Sequence, residues 1–467
     1  MPRQETLQVT SPFDGEVIGE LPRSDAGDVE AALARAAALF EDRAGWLTLA
    51  ARVEILSRTA DLLAAAHDEF SMLIAQEGGK PLRDAQVETT RAVDGIHIAI
   101  ESMRTHAGEV IPFGATPFSR QRLGFTRKEP IGPVVAVSAF NHPLNLIVHQ
   151  VVPAVAAGCP VIVKPSEDTP LCCERFVALL HAAGLPESWA QTIITDELSV
   201  AEKLVTDPRV AFFSFIGSAR VGWMLRGKLA AGARCALEHG GVAPVVLTGG
   251  VDHAAAVRSL VKGGFYHAGQ VCVSVQRVFV PAEEARAFAT ALAAAADGLV
   301  VGDATLPETE VGPLIRPREV VRVAEWVDEA VAAGAEVLCG GSALGETLYA
   351  PTVLLDPPAD ARVSTQEVFG PVVCVYGYDD VADAVRQANA LPYAFQAAVF
   401  TPHIDEAMDL AGQLAASAVM INDHTAFRVD GMPFAGLRQS GLGVGGIPYT
   451  LEDMQVDKMV VVHSPSV

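Results

Sequence analysis

Residues 131–164 read IGPVVAVSAFNHPLNLIVHQVVPAVAAGCPVIVK, with no Asp, Glu, Lys or Arg before Lys164. The stretch is apolar enough to suggest a membrane span. Pro133, Pro143, Pro153 and Pro160 break it, however, with Asn141 and Asn145 between them. Each interior proline would cost a spanning helix a backbone hydrogen bond that hydrocarbon cannot replace. A buried strand–helix–strand accounts for the same residues. Pro133–Ala139 is β-rich, 143–157 has a helical pattern closed by Gly158, and Pro160–Lys164 is a second strand. Strands apolar on both faces belong to parallel sheets covered by helices.

The alternation continues outward. Residues 29–76 predict two helices, ended by Gly78, Gly79 and Pro81. Downstream come a helix over 170–183, a strand over Val210–Phe215, a helix from about Ser218 and the strand Cys235–Glu238. After Gly240-Gly241 it restarts. Strands at Pro244–Thr248, Ser274–Val280, 336–339, 372–378, 396–400 and 416–421 alternate with helices at 253–267, 282–297, 318–333, 380–390 and 404–414. Two such blocks joined at a Gly-Gly hinge predict an α/β protein with two doubly wound parallel-sheet domains and a cleft between them.

Composition agrees. The chain has 467 residues, half of them hydrophobic, enough for large buried cores. With 34 Lys+Arg against 56 Asp+Glu, the net charge of −22 argues against nucleic acid or an anionic membrane as partner. Seven scattered cysteines form neither a disulfide framework nor a zinc-ligand spacing, so no metal is expected. The first residues lack a signal-peptide core, which predicts a cytoplasmic protein.

Three residues stand where chemistry is done in such folds. Cys272, in Gly269-Gln270-Val271-Cys272, precedes a strand, and its glycine lets backbone approach a ligand. A free cysteine is also an ordinary small core residue. Glu238, at a strand C-terminus before Gly240-Gly241, suits either a cleft base or a salt bridge at a domain joint. Asn141 could donate to an oxyanion or simply shape the turn before Pro143.

Taken with their neighbours, these residues resemble a family. Asn141-His142-Pro143-Leu144-Asn145-Leu146, Lys164-Pro165-Ser166-Glu167, Phe215-Ile216-Gly217-Ser218, Glu238-His239-Gly240-Gly241, Gly269-Gln270-Val271-Cys272, Gln366-Glu367-Val368-Phe369-Gly370-Pro371 and Pro433-Phe434-Ala435-Gly436 follow the order of the aldehyde dehydrogenase superfamily. The pattern is closest to the branch with lactaldehyde, succinate-semialdehyde and non-phosphorylating glyceraldehyde-3-phosphate dehydrogenases.

The resemblance implies an NAD-dependent enzyme, with NADP as a second candidate cofactor, that oxidises a small polar aldehyde to its acid. Cys272 would be the nucleophile, Glu238 the base that hydrolyses the thioester, and Asn141 the oxyanion donor. Lys164 and Glu167 would hold the adenine ribose, Gly217 and Ser218 the pyrophosphate, and Glu367 and Phe369 the nicotinamide half. Glu167 would favour NAD by repelling a 2′-phosphate.

Regions 1–111 and 131–240 would bind cofactor and 241–430 would be catalytic. Segments 112–130 and 455–467 would form an oligomerisation element of a homodimer or homotetramer. His142 and His149 stand where substrate tunnels are often aromatic, which implies a polar substrate. Arg428 could bind a substrate carboxylate or form a surface ion pair with Asp430. His239 and His267 depart from the usual family residues. Two other reactions fit parts of the pattern. A coenzyme A-acylating relative would not need Glu238, and a Cys/His hydrolase would pair Cys272 with His267 without redox chemistry.

Overall fold

The computed structural model describes residues 5–467, so the first four residues of region 1–111 lie outside the described residues. The stretch 131–164 folds as its pattern predicts. Strand Val134–Val137 and strand Val161–Lys164 are parallel neighbours, joined through helix Asn145–Ala157. Every residue of that helix is buried, so it shows no polar face. Gly158 closes it at φ 87°, a left-handed turn that suits a residue without Cβ.

These strands lie inside a six-stranded sheet. Its order is Gly441–Leu442, Arg234–Glu238, Phe212–Ile216, Val134–Val137, Val161–Lys164, Ala190–Thr192, parallel except for the first pair. Side chains alternate between its faces. Val134, Ala136, Val161 and Val163 pack against helix Asn145–Ala157, while Val135, Ile162, Phe213 and Phe215 pack on the opposite side with Val29 and Leu33. From Val134–Val137 the chain crosses first to one side, at Val161–Lys164, and later to the other, at Phe212–Ile216. Such a switch opens a crevice at the strand C-termini.

A seven-stranded sheet follows Gly240-Gly241. Its order is Glu336–Cys339, Thr352–Leu355, Val372–Tyr378, Val275–Pro281, Ala243–Leu247, Gln396–Phe400, Ala418–Ile421, again parallel but for the first pair. Strand Arg122–Pro130 pairs antiparallel with both Val110–Ile111 and Gln455–His463 in a separate three-stranded sheet.

The N-terminal region differs from the expectation of two helices. Residues 26–78 form three, Ala26–Glu41, Leu49–Ala65 and His67–Gly78. Thr48 starts the second by accepting the Ala51 N–H, and Ala66 breaks the third from it at φ −97°, ψ 17°. Helix Leu82–Thr105 went unpredicted because charged Asp84, Glu88 and Arg91 interrupt its apolar face. Strand Thr352–Leu355 also went unpredicted. No helix among the described residues is long and apolar enough to cross a membrane.

Candidate active site

The two large sheets face each other with opposite ends. Asn141, Lys164, Gly217 and Glu238 lie at or just beyond the C-termini of strands in the first sheet. Gly241, Cys272 and Phe369 lie just before the N-termini of strands in the second. Residues far apart in sequence therefore converge on one cleft.

The loop carrying Cys272 is held in an unusual conformation. His267, Ala268 and Gly269 have φ of 50°, 54° and 69°, all left-handed. For the two non-glycines this costs about 1–3 kcal/mol each. A Cβ on Gly269 would come within 2.1 Å of the Gly370 carbonyl oxygen, so glycine is required there. Gln270 fixes the turn: its Nε2 donates to the His267 and Pro313 carbonyls at 3.3 and 3.2 Å, and its Oε1 accepts the Ile315 N–H at 2.9 Å. Asn141 Nδ2 donates to the Gln270 carbonyl at 2.9 Å. That bond orients the amide two residues from Cys272 and leaves it a second N–H.

Val271, Tyr266, Phe395 and Phe434 form an apolar collar around Cys272. Burial, reinforced by the Glu238 and Glu367 carboxyls, pushes the Cys272 thiol well above its usual pKa, and Arg428 pulls it back. Burial likewise raises the Glu238 carboxyl, again opposed by Arg428. Gly445 leaves room for that carboxylate, since a Cβ there would stand 3.0 Å from Glu238 Oε2.

Arg428 is not the surface partner of Asp430. Its guanidinium is buried 3.6 Å over the Phe434 ring, with Nη1 3.8 Å from Glu238 Oε1. Asp430 instead takes a two-point contact from Arg91, at 2.8 and 3.1 Å, and a bond from Asn145 Nδ2 at 3.0 Å. His149 joins the two systems. Its Nε2 donates to Asp430 at 2.7 Å, and its Nδ1 accepts from Arg428 Nη2 at 3.4 Å. His149 is thus enclosed behind Arg428 and does not line an open tunnel. Burial and the Arg428 charge hold its ring neutral. Although burial favours the acid form of Asp430, His149 and Arg91 keep it ionised.

Of the other histidines, half-buried His142 sits 3.4 Å from the Tyr266 hydroxyl. His239 is structural, donating Nδ1–H to the Gly217 carbonyl at 2.8 Å beneath helix Ala219–Arg226. His267 is fully buried with no partner for either ring nitrogen among the described residues. It does not pair with Cys272, which removes the geometry of a Cys/His hydrolase.

The residues expected to hold a dinucleotide fit one. Glu367 is pushed up to about 8 by burial, and its Oε1 has no partner, so a ligand hydroxyl would satisfy it. Gly240 lies against that carboxylate, where a Cβ would collide. Phe369, at φ 47°, packs edge-on to Phe140 at 5.8 Å. Ser218 stands at the N-cap position of helix Ala219–Arg226 without a side-chain capping bond, which leaves first-turn N–H groups that suit a pyrophosphate. Lys164 Nζ stands 3.6 Å from Glu167 Oε2.

Sequence reading missed Arg91, Tyr266 and Arg316. Arg91 carried a signal, because Glu88 interrupts the apolar face of the same helix and implies buried polar partners. Arg316 carried none, since its partners Glu167 and Asp168 lie about 150 residues earlier.

A sequence model of the aldehyde dehydrogenase family matches residues 1–460. The chain is 35% identical over 460 residues to 3-sulfolactaldehyde dehydrogenase of Priestia aryabhattai, covering 98% of this chain and 95% of that one. Aldehyde dehydrogenase 21 from Physcomitrella patens, solved with the reaction product succinate, superposes with a TM-score of 0.94 at 31% identity, covering 99% and 96% of the two chains. Glyceraldehyde-3-phosphate dehydrogenase GapN from Methanocaldococcus jannaschii, complexed with NADP, gives 0.93 at 32% identity, covering 99% and 100%.

Proposed function

The chain belongs to the aldehyde dehydrogenase family and is an NAD(P)-dependent aldehyde dehydrogenase, and from that premise we propose that it oxidises a short polar aldehyde bearing an anionic group. The observation that carries this reading is Arg428. Its charge lies beside Cys272 and Glu238, is not neutralised by Asp430, and leaves Nε without a partner. Three relatives point the same way by their names: a sulfonated aldehyde, a phosphorylated aldehyde and a dicarboxylate product. Lactaldehyde and succinate semialdehyde belong to the same size class.

Cys272 gives its thiol proton to water, and the Sγ thiolate, favoured by the Arg428 charge, attacks the aldehyde carbon. The resulting oxyanion takes hydrogen bonds from the free Asn141 N–H and the Cys272 backbone N–H. A bound NAD(P) would supply the two-electron hydride acceptor needed to oxidise that adduct to a thioester on Cys272. Lys164 and Glu167 would hold its adenine ribose, Gly217 and Ser218 its pyrophosphate, and Glu367 and Phe369 its nicotinamide half. Glu238 then takes a proton from water, the hydroxide adds to the thioester carbonyl, and the Cys272 sulfur leaves as thiolate beside Arg428. The collar of Val271, Tyr266, Phe395 and Phe434 keeps bulk water from the reacting carbon.

Strand Gln455–His463 exposes Met459, Val461 and Val462 at a sheet edge, which supports pairing with a second copy into a dimer or tetramer. Seven free cysteines suit a reducing, cytoplasmic setting. A panel of aldehydes assayed for reduced cofactor tests the substrate reading. Sulfolactaldehyde and succinate semialdehyde should exceed lactaldehyde, and lactaldehyde should exceed hexanal, in kcat/KM. Preference for hexanal would overturn it.

A further inference from the structure

We propose that Arg316 governs cofactor choice: held across the cleft by Glu167 and Asp168, it is the group that receives the 2′-phosphate of NADP. The chain should therefore bind NADP within about tenfold of NAD, in spite of the Glu167 carboxylate. This rests on the reading of Lys164 and Glu167 as the adenine-ribose site.

The geometry is that of a clasp between the two halves. Arg316 Nε donates to Asp168 Oδ1 at 2.6 Å, and its Nη2 reaches Asp168 Oδ2 at 2.6 Å and Glu167 Oε1 at 2.8 Å. The other oxygen of Glu167 faces Lys164 Nζ at 3.6 Å. Two cations thus meet two carboxylates, and the cluster is neutral. Without Arg316 it would carry one net negative charge, which repels a phosphate dianion.

Arg316 is also built to change partners. Its backbone stands immediately before helix Pro317–Ala332 and is anchored by the Ile315 N–H to Gln270, so the guanidinium cannot drift from the cleft. The side chain itself is 25% exposed, and its Nη1 has no protein partner among the described residues. A guanidinium with a free edge can exchange a carboxylate for a phosphate while keeping two-point hydrogen bonding. A ribose 2′-hydroxyl, in contrast, needs only an acceptor, which Glu167 supplies whether or not Arg316 is present.

Titration calorimetry of the purified protein with NAD and with NADP tests this without turnover. Arg316→Gln should raise the NADP Kd by about tenfold or more, the loss expected for a hydrogen bond to a charged group, and keep NAD within about threefold. Arg316→Lys keeps the charge without the fork and should fall between wild type and Arg316→Gln. It also guards against a folding defect in the glutamine variant. Glu167→Ser frees Arg316 and should tighten NADP, a gain that Glu167→Ser/Arg316→Lys should largely lose. Equal losses for both cofactors, no change for either, or wild-type NADP binding more than about tenfold weaker than NAD would overturn the assignment. Lys164→Ala separates the underlying reading. If it weakens neither cofactor, the ribose site itself is wrong. If it weakens both while Arg316→Gln is unselective, only the role of Arg316 is lost.

Discussion

Arg428 Nη1 stands 3.8 Å from Glu238 Oε1, too far for a hydrogen bond but close enough for a strong charge interaction. At that separation two unit charges near a protein surface interact by about 4 kcal/mol. Arg428 can therefore oppose the burial that favours protonated Glu238 while leaving the carboxylate lone pairs free for water. Phe434 beneath the guanidinium and His149 beside it keep the charge in place.

Cys272→Ala should abolish formation of reduced cofactor while leaving cofactor binding within about threefold of wild type by calorimetry. Because burial raises the thiol, alkylation of Cys272 in the cofactor-free protein should be slow at neutral pH and accelerate well into the alkaline range. Fast alkylation at neutral pH would show that the thiol is already ionised.

Glu238→Gln should show a burst of reduced cofactor followed by slow turnover, because the thioester forms but is not hydrolysed. Rapid-quench measurement of acyl-enzyme distinguishes this from loss of the burst itself, which would place Glu238 in thiol activation.

Arg428→Gln should cost about 1.5–3 kcal/mol in kcat/KM for succinate semialdehyde beyond its cost for hexanal, the worth of a hydrogen bond to a charged group. A uniform loss across the two aldehydes would confine Arg428 to holding Glu238.

His149 links the site to acid stability. Its folded-state pKa lies below the ordinary value of about 6.5, because burial and Arg428 disfavour the charged ring. As pH falls below that value the unfolded chain binds a proton that the folded chain does not. Stability is then lost by up to about 1.4 kcal/mol per pH unit. Between pH ~6.5 and ~5 the Tm of wild type should fall more steeply than that of His149→Gln. Parallel curves would mean that His149 is protonated in the folded protein and pairs with Asp430 as a cation.

Local pattern carried much of the architecture. Runs such as Val134–Val137 and Val161–Lys164 are apolar on both faces because helices cover both, and that signature is visible residue by residue. Cys272, Glu238 and Asn141 stood out as candidates because each sits near a strand end within a short motif. The helix Leu82–Thr105 was not, since its buried face contains charges whose partners come from other segments.

What no local pattern could decide is which charges meet. Asp430 lies two residues from Arg428 yet pairs with Arg91, 339 positions away. Arg316 meets Glu167 across 149 positions. Side-chain periodicity is set by the backbone near each residue, so sequence alone placed the strands, the helices and the residues at their ends. Ion pairing in a desolvated cleft depends on which groups the two sheets bring within a few ångströms of each other. The tertiary structure therefore decided that Arg428 faces Glu238 and that Arg316 meets Glu167 and Asp168.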